Sequence, residues 1–242
     1  MSWTLLNTRP AHQARPLTEA ARSLGYEVIE CPTLYIACMP CRQPAAGTWI
    51  FTSVNAVRCW MAQHHRLPRG RVIAIGPRTA ELLERHGVSP IFALPREFRS
   101  ESVLKMALFD PKKRSAGEAV AIVKGEGGRA LLRDALRQRG WNVQEVACYR
   151  RVRRPLCEGW DAFRQAHRPL VLAMSVETIE ALEAALPEPE RTWLRQQPLL
   201  ALSPRIAEAL QARGWQGEMA VAKQQDASGM IALLEQWKQK ND

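Results

Sequence analysis

Two pairs of stretches in this chain repeat each other, and the repeat leaves few folds open. At an offset of 127, Ala74–Gly87 and Ala201–Gly214 share Ala, Pro, Arg, Ala, Glu, Leu and Gly, seven of fourteen positions. At an offset of 115, Leu17–Glu30 and Leu132–Glu145 share Leu, Ala, Arg, Gly, Val and Glu, with Tyr26 facing Trp141. Each stretch joins a strand-like run to a helical apolar spacing that stops at a glycine. One supersecondary program is thus used twice. Strands alternating with helices give parallel sheets covered on both faces and joined by right-handed crossovers. The expected class is α/β, with two doubly wound parallel-sheet domains.

In chain order, strands are expected at Trp3–Thr8, Tyr26–Cys31, Thr48–Thr52, Arg71–Ile75 and Pro90–Leu94. The series restarts with Ala119–Val123, Trp141–Val146, Leu170–Met174, Leu199–Leu202 and Glu218–Ala222. Helices are expected between them. Ser53 caps one, Pro77 opens another, and Ser100–Phe109 and Ser175–Leu186 are two more. The last helix buries Met230, Ile231, Leu234 and Trp237, with Asp226 or Ser228 as its cap. Val28–Pro40 and Val143–Pro155 each leave a strand–helix–strand unit and end at a proline that stops a regular ladder. They read as the strands of a hinge between two lobes, with Tyr149 at the mouth of the cleft.

A chain of 242 residues can form two modest domains, and 46% hydrophobic with 24% charged residues is a globular composition. No apolar run approaches the roughly 18 residues that span a bilayer. The opening Met1–Pro10 has no basic flank, so a cytoplasmic location with no membrane contact is expected. Lys and Arg number 34 against 24 Asp and Glu, a net charge of +10 that favours an anionic partner: nucleic acid, phosphate or a polycarboxylate. Arg129, Arg133 and Arg137 fall opposite Leu132 and Leu136 and read as a solvated helix face. Cys38-Met39-Pro40-Cys41 is a CxxC. Pro40 and Pro44 argue against the helix that a redox motif opens, and Cys148 and Cys157 are too far apart for a zinc knuckle. No metal site is expected.

In open α/β sheets, ligands bind beyond the carboxyl ends of the strands, where helix N-termini point. The turns there are Thr8-Arg9-Pro10, Thr52-Ser53, Gly76-Pro77-Arg78-Thr79, Lys124–Arg129, Met174-Ser175 and Ser203-Pro204-Arg205. They offer backbone N–H groups, small hydroxyls and cations, which suit carboxylates or phosphates. The simpler reading is that Ser53, Thr79, Ser175 and Ser203 only cap their helices. Lys124–Arg129 is neither a Walker A loop nor a dinucleotide fingerprint. The five histidines lack metal spacing. Any catalysis must come from positioning.

Ile50–Val57, Ala74–Ala80, Val123–Arg129 and Cys148–Arg151, with Thr8-Arg9-Pro10 and Ser203-Pro204-Arg205, resemble the uroporphyrinogen-III synthase family in order along essentially the whole chain. The resemblance implies a HemD-like protein with flavodoxin-like halves. Residues 1–32 and 156–242 would form a discontinuous domain and 41–145 the other, with 33–40 and 146–155 as hinge strands. It implies a cyclising hydro-lyase of haem biosynthesis. Such enzymes close the linear tetrapyrrole hydroxymethylbilane to uroporphyrinogen III, inverting ring D and losing water, with no cofactor. Tyr149 would protonate the leaving ring A hydroxyl. Ring D would attack the resulting azafulvene, and a spiro intermediate would fragment and reclose with that ring reversed.

Arg9, Thr52, Ser53, Asn55, Thr79, Lys124, Gly125, Ser175, Ser203 and Arg205 would hold the substrate's acetates and propionates, many through backbone N–H. This chain departs from the commoner pattern in its second copy, where Met174, Ser203 and Ile206 replace Thr52, Gly76 and Thr79. Lys124 stands where many relatives have arginine and lacks the planar fork. A monomer acting on a small molecule is expected, with the enzyme that makes hydroxymethylbilane as a partner. The alternative is a non-catalytic bilobed anion-binding module. Nucleic-acid binding, suggested by Arg150, Arg151, Arg153 and Arg154, finds no motif to support it.

Overall fold

The computed structural model describes residues 2–89, 91–92, 100–111, 118–128 and 130–241. The elements begin with β1 (Thr4–Asn7), α1 (Ala11–Ser23), β2 (Glu27–Glu30), β3 (Leu34–Cys38), β4 (Thr48–Phe51), α2 (Val54–His64), β5 (Arg71–Ala74) and α3 (Pro77–Arg85). Then come β6 (Ile91–Phe92), α4 (Ser100–Leu104), a 3-10 turn at Ala107–Phe109, β7 (Ala119–Gly125), α5 (Leu131–Gln138) and β8 (Asn142–Arg153). The chain finishes with α6 (Trp160–Arg164), β9 (Pro169–Ala173), α7 (Val176–Ala185), α8 (Glu188–Arg195), β10 (Leu199–Ala201), α9 (Pro204–Ala212), β11 (Met219–Val221) and α10 (Ala227–Asn241). Two compact units result: Met1–Tyr35 with Val152–Asp242, and Ile36–Arg151.

The first unit is a parallel sheet in the order β11-β10-β9-β1-β2. Side chains alternate across it, as strand geometry demands. Leu6, Val171, Ala173, Leu199 and Ala201 meet Trp160, Phe163, Ile179, Leu182 and Leu210 on one face. Leu5, Leu170, Leu172 and Leu200 meet Leu17, Met230, Leu234 and Trp237 on the other. A fully buried Leu of this kind contributes about 1.5–3 kcal/mol.

The second unit has the order β3-β8-β7-β4-β5-β6, with β8-β7-β4-β5-β6 parallel. Trp49, Phe51, Val72, Ala74, Ala121 and Val123 pack under α2 and α3. Ile50, Ile73, Val120 and Ile122 pack with Val103, Phe109, Leu132 and Leu136 on the opposite face.

The two offsets of the repeat now have a structural meaning. The shift of 115 lays β1, α1 and β2 over β7, α5 and β8, and the shift of 127 lays α3 over α9. Along the chain, a strand pair and a strand trio alternate. Each sheet takes its pair from one copy of the repeat and its trio from the other. The repeated glycines Gly25 and Gly140 end α1 and α5 at φ of 85° and 81°, a conformation that costs glycine least.

Several expectations are corrected. Ser100–Phe109 is a five-residue helix and a 3-10 turn rather than one helix. The strand expected at Trp141–Val146 is longer than that range, running unbroken as β8 from Asn142 to Arg153 through most of the second hinge segment. α6 and α8 were not anticipated. Of Pro90–Leu94, Ile91–Phe92 is strand, while Pro90 and residues 93–94 lie outside the described residues, as does Arg129.

Candidate functional site

In the second unit, the carboxyl ends of β4 and β7 converge on Tyr149 of β8. The register explains why. Lys124 pairs with Ala147 but Gly125 pairs with Tyr149, so the ladder is bulged at Cys148. A bulge re-aims the side chains after it. Val146 and Cys148 face the α2 layer by simple alternation, and the extra residue turns Tyr149 to that layer as well. Tyr149 is therefore 3% exposed, a core residue rather than a side chain at an open mouth.

Its ring lies on Gly125, where a Cβ would come within 2.7 Å of Cε2 and Cζ. Its hydroxyl is 3.0 Å from Ser53 Oγ. Ser53 is the N-cap of α2, and its Oγ accepts the Ala56 N–H at 3.2 Å. Either hydroxyl can donate across the Ser53–Tyr149 contact. Thr52 Oγ1 donates to the Val123 carbonyl at 3.1 Å, closing β4 onto β7. The guanidinium of Arg151, two residues on along β8, stands 5.9 Å from the Tyr149 ring centroid. Thr52, Ser53, Gly125 and Tyr149 are thus brought together, at the point where the strand order switches direction.

Three other sequence candidates of this unit sit differently. Asn55 is half-buried in the first turn of α2. Thr79 is buried at 3% exposure, so its hydroxyl does not line an open surface. Lys124 shares the Ile122 face of β7, away from Tyr149, and donates to Glu145 at 2.8 Å. Arg133 reaches the other oxygen of Glu145 at 3.1 Å. Burial alone would raise the Glu145 carboxyl, but hydrogen bonds from Lys124 and Arg133 overcome it and hold the group below its usual range. The lysine thus serves an ion-pair network on that face rather than the Tyr149 site.

In the first unit, Arg9, Ser175, Ser203 and Arg205 follow the neighbouring strands β1, β9 and β10. Ser175 caps α7 by accepting the Thr178 N–H at 3.3 Å. The Arg9 N–H donates to Asn7 Oδ1 at 3.2 Å, and Arg9 Nη2 donates to Gln13 at 3.5 Å. Ser203 is the N-cap residue of α9 but makes no side-chain cap bond and is 6% exposed. Arg205 is exposed, and Ile206 belongs to the core. Sequence reading missed the hydroxyl chain at this end of the sheet: Thr8 Oγ1 meets Thr178 Oγ1 at 3.2 Å, which meets Ser175 Oγ at 3.3 Å. The only hint was Thr8 in its turn.

Among the described residues, no group of three or more His, Cys, Asp or Glu is placed to hold a metal ion. Two disulfides, Cys31–Cys157 and Cys38–Cys59, were not foreseen. Cys41 and Cys148 are free, and burial pushes the Cys148 thiol up to about 12.

The family model described as uroporphyrinogen-III synthase HemD matches residues 15–236. The chain belongs to the uroporphyrinogen-III synthase family. The uroporphyrinogen-III synthase of Escherichia coli K12 is 30% identical over 96% of this chain and 100% of its own length. The Salmonella typhimurium uroporphyrinogen-III synthase is 29% identical with the same coverage. The fold matches that of the Helicobacter pylori uroporphyrinogen-III synthetase with a TM-score of 0.67 at 14% identity, over 98% of this chain and 100% of that one. A mutant Thermus thermophilus synthase gives 0.61 at 18% identity, over 99% and 100%. No described helix is long and apolar enough to cross a membrane.

Proposed function

We infer that this chain is a uroporphyrinogen-III synthase, a cyclising lyase of haem biosynthesis. It turns hydroxymethylbilane into uroporphyrinogen III with inversion of ring D and loss of water. The observation that carries this is the family match across residues 15–236, nearly the whole chain.

Tyr149 is the proposed acid. As the ring A hydroxyl departs, the phenol gives up a proton and negative charge develops on its oxygen. The Ser53 hydroxyl is positioned to donate to that oxygen. The Ala56 N–H behind it belongs to the first turn of α2, whose dipole favours negative charge. In the state described, Tyr149 is covered, so the step requires its hydroxyl to become accessible to the substrate. Thr52, Ser53, Asn55 and the Gly125 backbone are the proposed carboxylate contacts in this unit, and Arg9, Ser175, Ser203 and Arg205 those in the other. Thr79 and Lys124 support them through helix packing and the Glu145 network.

The bilane closes by itself to the unrearranged isomer, so the protein must favour the rarer geometry. For the same reason we propose that this chain works beside the enzyme that makes hydroxymethylbilane; the proposed setting is a monomer in the cytoplasm. The test is to supply fresh hydroxymethylbilane, oxidise the product and identify the isomer. Type III above the protein-free control is expected. Type I alone overturns the reading.

A further inference from the structure

The second unit holds a nucleophile that the cyclisation does not use. Cys41 is free and half-buried, and its Sγ lies 3.6 Å from His64 Nε2. The imidazole is held by stacking on Trp60, with centroids 4.1 Å apart. The backbone around the thiol is held too. The Cys41 N–H donates to Gln63 Oε1 at 2.8 Å, and Gln63 Nε2 donates to the Met39 carbonyl at 2.7 Å. Burial pushes the Cys41 thiol above its ordinary value, and His64, in the tautomer that leaves Nε2 unprotonated, is the group beside it that can take the proton.

The surroundings say what could react there. Cys41 lines a cavity of about 500 Å³ with Arg42, Pro44 and residues 144–147 of β8. That volume suits a small molecule. β3 accompanies the later part of β8: the Met39 N–H donates to Cys148 and the Arg154 N–H to Thr33. Beyond Met39 the chain leaves β8, so its edge over residues 144–147 forms a cavity wall. A strand edge offers backbone groups to a peptide. Arg42, exposed on the 41–44 segment of the lining, offers a cation to a carboxylate, while the lining carboxylate of Glu145 is already paired with Lys124 and Arg133.

We propose that Cys41 is a thiol–disulfide exchange site for a small peptide thiol bearing carboxylates, taken up as its disulfide. The Cys41 thiol passes its proton to His64 Nε2. The thiolate attacks one sulfur of the incoming disulfide, a Cys41–peptide disulfide forms, and the peptide's S–S bond breaks. The departing thiolate takes the proton from His64. No other oxidant is needed, and the Cys38–Cys59 disulfide stays intact.

The test uses oxidised glutathione as the probe, on the purified full chain without reductant at mildly alkaline pH. Intact mass and peptide mapping should show one glutathione on Cys41, lost in Cys41→Ser. His64→Gln should slow labelling about tenfold or more. Arg42→Glu should lower the preference for oxidised glutathione over a neutral small disulfide by about fivefold. Labelling that survives Cys41→Ser, that falls on Cys38 or Cys59, or that is equally fast in His64→Gln overturns the proposal. None of these outcomes depends on the cyclisation.

Discussion

The Tyr149 hydroxyl sits 3.0 Å from Ser53 Oγ, and the same serine oxygen accepts the Ala56 N–H that opens α2. One side chain thus serves both a helix cap and the proposed acid. The two functions separate by substitution. Tyr149→Phe keeps the ring on Gly125 and removes only the hydroxyl. It should lower kcat about 100-fold, as expected for loss of a general acid, with KM little changed. Ser53→Ala removes both bonds and should also cost about 1 kcal/mol of stability through the lost cap. Ser53→Thr should restore most of each. Steady-state kinetics and thermal melts of the three variants check this, and full turnover by Tyr149→Phe would exclude it as the acid.

Gly125 is the second half of that arrangement. An added Cβ would meet the Tyr149 ring at 2.7 Å with little room to yield, because the ring is buried under α2. Gly125→Ala should destabilise by about 1–3 kcal/mol, as overpacking does, and depress kcat by displacing the hydroxyl from Ser53. In a Tyr149→Ser background the stability cost should largely vanish, a coupling that a denaturation double-mutant cycle would measure.

The doubly wound class was legible because strands buried on both faces carry continuous apolar runs, as in Thr48–Phe51, where every residue is buried. The helix caps at Ser53 and Ser175 were legible because they depend only on local chemistry. The seating of Tyr149 was not. It rests on a bulge at Cys148, and strict alternation would have turned Tyr149 to the opposite face. The partner of Lys124 was hidden for a related reason, since only the register of β7 on β8 brings Glu145 alongside. α8 lies between Pro187 and Pro198, where prolines read as loop.

Glu145 predicts an acid response. Its carboxyl is held below the ordinary value in the folded chain, so its contribution is present above the unfolded value of about 4.3 and is lost as pH falls through the folded one. The melting temperature should therefore drop more steeply in the native chain than in Glu145→Gln between about pH 5 and pH 3. Equal slopes would mean that solvent screens the Lys124 and Arg133 pairs completely.

The Cys31–Cys157 disulfide joins residues 126 apart and encloses the whole second unit within its loop, while both of its ends lie in the first. It fixes in the first unit the two places where the chain departs and returns. A cross-link over so long a loop restricts the unfolded chain strongly, and removing one from a folded domain typically costs about 2–5 kcal/mol. Cys38–Cys59 closes only 21 residues and should contribute less. Melts of Cys31→Ser, Cys157→Ser and Cys38→Ser without reductant should rank in that sense, with the first two alike and lowest. Adding reductant breaks both bridges, so it should lower the native chain below the oxidised Cys31→Ser level and lower Cys31→Ser by the smaller contribution of Cys38–Cys59. A native melt indifferent to reductant would mean that the sulfurs of Cys31 and Cys157 are not joined in solution.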